Sequence, residues 1–268
     1  MAVLSSASVP IYYEVMGAGF PLVAINGFTF NLRMWDQQRG SLAVKYQMIT
    51  FDLRGHGKSA APDYGYTTED DLKDLEGLLN YLQIDNMCLM GHSTGANLAV
   101  EYTLQHSETV KALILADPII DGMLSCAGWN EAYRKFRTRT MEEGLQAGLE
   151  KEWFNNPIFD SCKNDRCRFM FVKDVVRSFS GKPLLAMESF STIHRSAERV
   201  SRIACPCLIL YGDQNLEECI AISDSLSERI PHATKVALPG SGHLSNVQNP
   251  SGFTEAILHF LSDIPLDD

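Results

Sequence analysis

The chain has 268 residues, 45% hydrophobic and 21% charged, enough for one large domain with a full core. Its formal net charge of −10 argues against nucleic acid or an anionic membrane as partner and is read as solubility. No apolar run reaches the length of a membrane span, and the first residues lack the basic start and long apolar stretch of a secretory signal.

Residues 10–16 are rich in aromatic and β-branched side chains and stop at Gly17-Ala18-Gly19, which predicts a strand and a turn. Residues 22–25 and 48–51 are short continuous apolar runs, the pattern of strands buried on both faces. After the loop Asp52-Leu53-Arg54-Gly55-His56-Gly57-Lys58-Ser59, the stretch Thr68-Glu69-Asp70-Asp71 reads as a capping box. Leu72, Leu75, Leu78, Leu79 and Leu82 follow at helical spacing. Residues 87–90 predict a buried strand running into Gly91-His92-Ser93-Thr94-Gly95, then a helix to Gln105 and a strand over 112–115 ending at Asp117-Pro118. From 121 to 201 the strand rhythm stops, and charged, helix-favouring stretches carry scattered aromatics. It resumes with a strand over 207–211, a helix over 220–230, a strand over 235–238 and a helix over 253–261. Such alternation predicts an α/β fold: a mostly parallel sheet covered by helices, with 121–201 as a helical insertion over one end.

Seven cysteines lie at 88, 126, 162, 167, 205, 207 and 219. Cys88, Cys205 and Cys207 sit in apolar strand-like runs, where a thiol acts as a small hydrophobe, and a cytoplasmic location is expected. Cys205-Pro206-Cys207 is too tight for a structural zinc pair and reads as strand entry.

A serine hydroxyl attacks only when a base takes its proton and the turn holds it in the open. Gly91-His92-Ser93-Thr94-Gly95 lies between a buried strand and a helix, as a nucleophile elbow must. The competing reading, Ser93 as a plain helix N-cap, leaves the two glycines unexplained. His243, in Gly240-Ser241-Gly242-His243 after the last strand, is the expected base. His92 and His56 read as packing and turn residues. The expected oxyanion donors are the N–H groups of Thr94 and Phe28.

These four motifs, Gly27-Phe28, the 52–59 loop, the elbow and the His243 loop, stand in the order that resembles the α/β-hydrolase superfamily over nearly the whole chain. The resemblance is greatest to small-molecule esterases, enol-lactonases and carbon–carbon bond hydrolases. It implies a sheet of the eight-stranded type, a core of 1–120 and 202–268, and a helical cap over 121–201 inserted after the sixth strand. It implies no metal or organic cofactor, a small-molecule substrate, and a monomer or homodimer. Trp129, Trp153 and Phe154 are the cap residues expected at an apolar or aromatic substrate. The cap arginines, Arg168, Arg177 and Arg195 among them, read as solvated helix faces.

Two positions depart from the family pattern. Asn26-Gly27 stands where relatives usually carry His-Gly. In Gly212-Asp213-Gln214-Asn215, the position of the triad acid is Asn215. In a serine protease an Asp-to-Asn change there lowers turnover by about 10⁴, roughly 5.5 kcal/mol. Four explanations follow: Asp117 serves as the acid from the neighbouring strand, with a simple turn role as its equal rival; Asp213, Glu217 or Glu218 swings in; Asn215 was introduced to trap a complex; or the protein is a non-hydrolytic receptor, lyase or cyclase.

Overall fold

A computed structural model describes residues 2–4, 9–123, 127–186 and 195–266, with the side chains of 2–4 and 127–129 outside the description. Eight strands form one sheet: β1 (Ala2–Leu4), β2 (Ile11–Met16), β3 (Pro21–Ile25), β4 (Gln47–Phe51), β5 (Met87–His92), β6 (Val110–Ala116), β7 (Cys207–Gly212) and β8 (Ala233–Leu238). Their spatial order is β1-β2-β4-β3-β5-β6-β7-β8. β2 pairs antiparallel with both β1 and β4, and every other pairing is parallel.

The apolar runs become the central strands for the reason their composition suggests. All six residues of β5 are buried, as are the last four of β3 and β4. One face packs Leu72, Leu75, Leu78 and Leu79 against Val23, Ile49 and Leu89; the other packs Trp35, Phe253 and Ile257 against Leu22, Met48 and Met90. Eight helices carry most of the cover: α1 (Asp36–Leu42), α2 (Thr68–Leu82), α3 (Thr94–Gln105), α4 (Ala127–Glu143), α5 (Leu145–Lys151), α6 (Arg166–Val176), α7 (Glu217–Arg229) and α8 (Pro250–Ser262). Among the described residues, no helix is long and apolar enough to cross a membrane.

One sequence expectation shifts, two elements are added and one expectation holds. The capping box of α2 is Thr67 with Asp70, one residue earlier than expected. Thr67 has the extended backbone a cap requires, and Thr68 is already helical. β1 and α1 were not legible, being short and without an apolar period. Cys205-Pro206-Cys207 is strand entry, with the Pro206 carbonyl accepting from Leu113 N–H and β7 starting at Cys207.

Between β6 and β7 the described residues form helices and turns only. They pack onto the loops after β3 and β4. Trp153 Nε1 donates to Thr29 Oγ1 at 2.9 Å, Ser180 Oγ donates to the Gly55 carbonyl at 2.7 Å, and Asn31 Nδ2 donates to the Val175 carbonyl at 3.1 Å. Arg168, Arg177 and Arg195 pair with acids of the same segment, Asp165, Glu150 and Glu198.

β3 lies between β4 and β5, so successive crossovers leave it in opposite directions. Ligands of open α/β sheets bind at such a switch point, beyond the carboxyl ends of the strands. The loops after β3 and β5 meet there, with Ile25 paired to Gly91.

Candidate active site

Ser93 leaves β5 and enters α3 with φ 54° and ψ −119°, a conformation that costs an L-residue about 1–3 kcal/mol. The glycines allow the close crossing behind it. A Cβ on Gly91 would lie 2.2 Å from the Gly95 carbonyl oxygen, and one on Gly95 2.5 Å from the Asn26 oxygen. Ser93 makes no capping hydrogen bond to α3; its Oγ lies 2.9 Å from His243 Nε2 instead. That disposes of the N-cap reading.

His243 is buried, and burial together with neighbouring His92 holds its imidazole well below the usual 6.5. It is therefore neutral near pH 7. His92 points away from Ser93, and its Nε2 donates to the His243 carbonyl at 2.8 Å. This buried ring, pushed down to about 4, fastens the β8 loop to β5. His56 plays a similar part on the other side. Its Nδ1 donates to the Arg54 carbonyl at 2.9 Å, and its Nε2 accepts from Thr29 N–H at 3.3 Å. Thr29 has φ 70°, so His56 steadies the strained residue beside Phe28. Asn26 closes the same loop by donating from Nδ2 to the Phe30 carbonyl at 2.6 Å.

Of the two expected oxyanion donors, the Phe28 N–H lies against the Thr94 side chain. Phe28 N–H donates to Thr94 Oγ1 at 2.8 Å. The hydroxyl of the residue after Ser93 thus satisfies an N–H expected to face the substrate oxygen.

The residue facing His243 on the side away from Ser93 is Asn215, its Nδ2 3.4 Å from His243 Nδ1. Asp117 stands one hydrogen bond further, accepting from Asn215 Nδ2 at 3.0 Å. It also accepts from Gly212 N–H at 3.0 Å, and from Ser245 N–H and Oγ at 3.0 and 2.6 Å. Four donors surround a carboxyl that burial nonetheless pushes up to about 6. Asp117 neither meets His243 directly nor serves only as a turn before Pro118; it is tied to the imidazole through Asn215. Asp213 turns the other way, accepting from Gly240 N–H at 2.8 Å. Glu217 and Glu218 begin α7. Ser245 and Leu216, whose N–H donates to Asn215 Oδ1 at 2.8 Å, complete the arrangement and went unnoticed in the sequence. The one signal for Ser245 was a small polar residue two positions after His243.

Of the three residues expected at the substrate, Trp153 reaches the site's edge. Its ring stands perpendicular to Phe28, with centroids 5.5 Å apart. Phe28 also meets Tyr133 and Phe179, so three rings surround this residue of the loop after β3. Phe154 corrects the expectation. Its ring contacts run to Phe159, Phe169 and Lys173, so it packs the segment's interior. The neighbouring backbone turn at Trp153–Asn155 sends the two side chains different ways. The Trp129 side chain lies outside the described residues.

Comparison with known proteins agrees with this geometry. Residues 21–142 match the family model of the α/β hydrolase fold. The chain is 28% identical to a putative non-heme chloroperoxidase of Synechocystis, over 96% of each chain. It is 26% identical to 3-oxoadipate enol-lactonase 2 of Acinetobacter baylyi, covering 95% of this chain and 94% of that one. The crystal structure of a bromoperoxidase from Bacillus anthracis superposes with a TM-score of 0.83 at 26% identity, over 98% of this chain and 99% of that one. With its strand order, strained serine and histidine loop, this chain has the α/β hydrolase fold and is similar to enzymes that share it.

Proposed function

We propose that the protein is a serine hydrolase of a small apolar or aromatic ester, lactone or related carbonyl compound. The observation that carries the reading is Ser93, held at φ 54° with Oγ 2.9 Å from Nε2 of a buried, neutral His243. A seryl oxygen so placed has a base within reach and stands clear of the helix it begins. In the proposed reaction Ser93 Oγ attacks the substrate carbonyl and His243 Nε2 takes the seryl proton. That proton then passes to the leaving oxygen. Water, deprotonated by His243, hydrolyses the acyl enzyme. The developing oxyanion lies by Thr94 N–H and the paired Phe28 N–H and Thr94 hydroxyl.

The substrate class is read from the three rings around Phe28, an apolar environment among the described residues. The Acinetobacter relative, named for an enol-lactone, supports the carbonyl chemistry. Turnover of short-acyl phenyl and naphthyl esters and of enol-lactones is the direct test. Ser93→Ala is expected to lower kcat by about 10⁴ or more. A fluorophosphonate is expected to label Ser93, and to lose that labelling in His243→Ala. An unlabelled Ser93 in folded protein would refute the reading.

One observation favours a second reading, a non-hydrolytic receptor, lyase or cyclase: the group facing His243 Nδ1 is an amide, where a carboxylate would stabilise the imidazolium.

A further inference from the structure

The polarity of the hydrogen bonds behind His243 can be worked out from fixed ends. Leu216 N–H is a donor, so the Asn215 atom 2.8 Å away is its carbonyl oxygen. Asp117 Oδ1, near neutral pH, is an acceptor, so the atom 3.0 Å from it is the Asn215 nitrogen. Turning the amide over would set N–H against N–H at Leu216 and oxygen against oxygen at Asp117. The Asp117 end is buried and the Leu216 end partly so, and a mismatch at a buried end costs about 1–3 kcal/mol. The amide is therefore held one way round. Its nitrogen lies 3.4 Å from His243 Nδ1 and has a second proton to offer.

A donor facing Nδ1 requires a lone pair there. In a neutral imidazole the ring proton is then on Nε2, which lies 2.9 Å from Ser93 Oγ. A serine primed for attack needs the opposite polarity, with the seryl O–H donating to a bare Nε2 and Nδ1–H donating to an acceptor. Asp117 is itself locked, since its other oxygen is taken by Ser245 N–H and Oγ.

We propose that Asn215, anchored by Asp117 and Leu216, is a positioning residue that holds His243 as its Nε2–H tautomer, so that the resting enzyme presents Ser93 in a latent state. Attack then waits on transfer of the ring proton from Nε2 to Nδ1 through solvent and on the Asn215 amide giving way. The seryl proton subsequently passes to the vacated Nε2, so the count of protons is unchanged. This rests on Ser93 being the nucleophile, but the tautomer is observable without any turnover.

Two measurements test it. Nitrogen-15 NMR of histidine-labelled wild-type protein, with His243 assigned by its loss in His243→Gln, should report the Nε2–H tautomer near neutral pH. An Nδ1–H tautomer overturns the proposal. Asn215→Asp should raise kcat on a short-acyl ester at least 100-fold, with little change in KM, and should move the acid limb of kcat/KM to higher pH. The new carboxylate favours imidazolium, whereas wild-type His243 is held low by burial. An unchanged kcat and an unmoved limb in folded Asn215→Asp overturn it too. Fluorophosphonate labelling of Ser93 is scored separately. Its absence in both proteins defeats the hydrolase reading, while the tautomer result still decides the lock.

Discussion

The Phe28 backbone N–H and the Thr94 hydroxyl are joined at 2.8 Å, so the residue after Ser93 occupies an N–H of the loop after β3. The hydroxyl accepts this bond and keeps its own proton to donate. In the proposed reaction the oxyanion therefore meets an O–H backed by an N–H. Thr94→Val, which keeps shape and removes the hydroxyl, is expected to lower ester kcat about 10-fold. That is less than the about 10²–10³ of losing an oxyanion donor outright, because Phe28 N–H then faces the substrate. Thr94→Ser should restore wild-type kcat. Steady-state kinetics on one ester series checks both.

The elbow depends on backbone approach at Gly95. An added methyl there meets the Asn26 and Ile25 carbonyl oxygens at 2.5 and 2.8 Å, neither of which can move without shifting β3. Gly95→Ala is expected to cost about 3 kcal/mol or more in urea unfolding. Gly40 lies in α1 with no neighbouring atom within 4 Å of where an added methyl would stand, so Gly40→Ala should stabilise by about 0.5–1 kcal/mol. Similar unfolding midpoints for the two variants would contradict the crowding at the elbow.

Asp117 accepts four hydrogen bonds in a fully buried setting. Asp117→Asn puts amide protons against two of those donors and is expected to cost about 2–4 kcal/mol. Burial raises this carboxyl from 3.8 to about 6, so the folded state takes up its proton more readily than the unfolded chain. This residue's contribution to stability therefore falls as pH rises from about 4 to about 6, and is level above. The difference in unfolding free energy between wild type and Asp117→Asn, followed across that range, isolates the slope.

Arg54 and Asp74 form a bidentate pair at 2.6 and 2.7 Å, 4% and 1% exposed, anchoring the 52–59 loop to α2. Arg54→Met leaves a buried carboxylate alone and is expected to cost about 3–5 kcal/mol. Ester kcat per folded molecule should stay within a few-fold, since the pair touches neither Ser93 nor His243. Unfolding and active-site titration together separate the two effects.

The sequence by itself determined the sheet's central strands, because a strand buried on both faces must be apolar at successive positions, as residues 87–90 are. It also determined the elbow. Glycines at 91 and 95 mark a strand-to-helix crossing too tight for a methyl, and the chain order of Ser93 and His243 follows from where the loops leave the sheet. Asn215 was visible as a departure, and Asp117 as a carboxylate on the adjacent strand. What only the tertiary structure decided was how those two share the imidazole. That depends on side chains from three loops, 98 residues apart between Asp117 and Asn215, and on the Leu216 N–H that fixes which end of the amide faces which neighbour. Phe154 turning to Phe159 while Trp153 turns to Thr29 is the same kind of fact. Periodicity reports which residues are buried; hydrogen-bond direction and rotamer are settled by partners that meet only when the chain has folded.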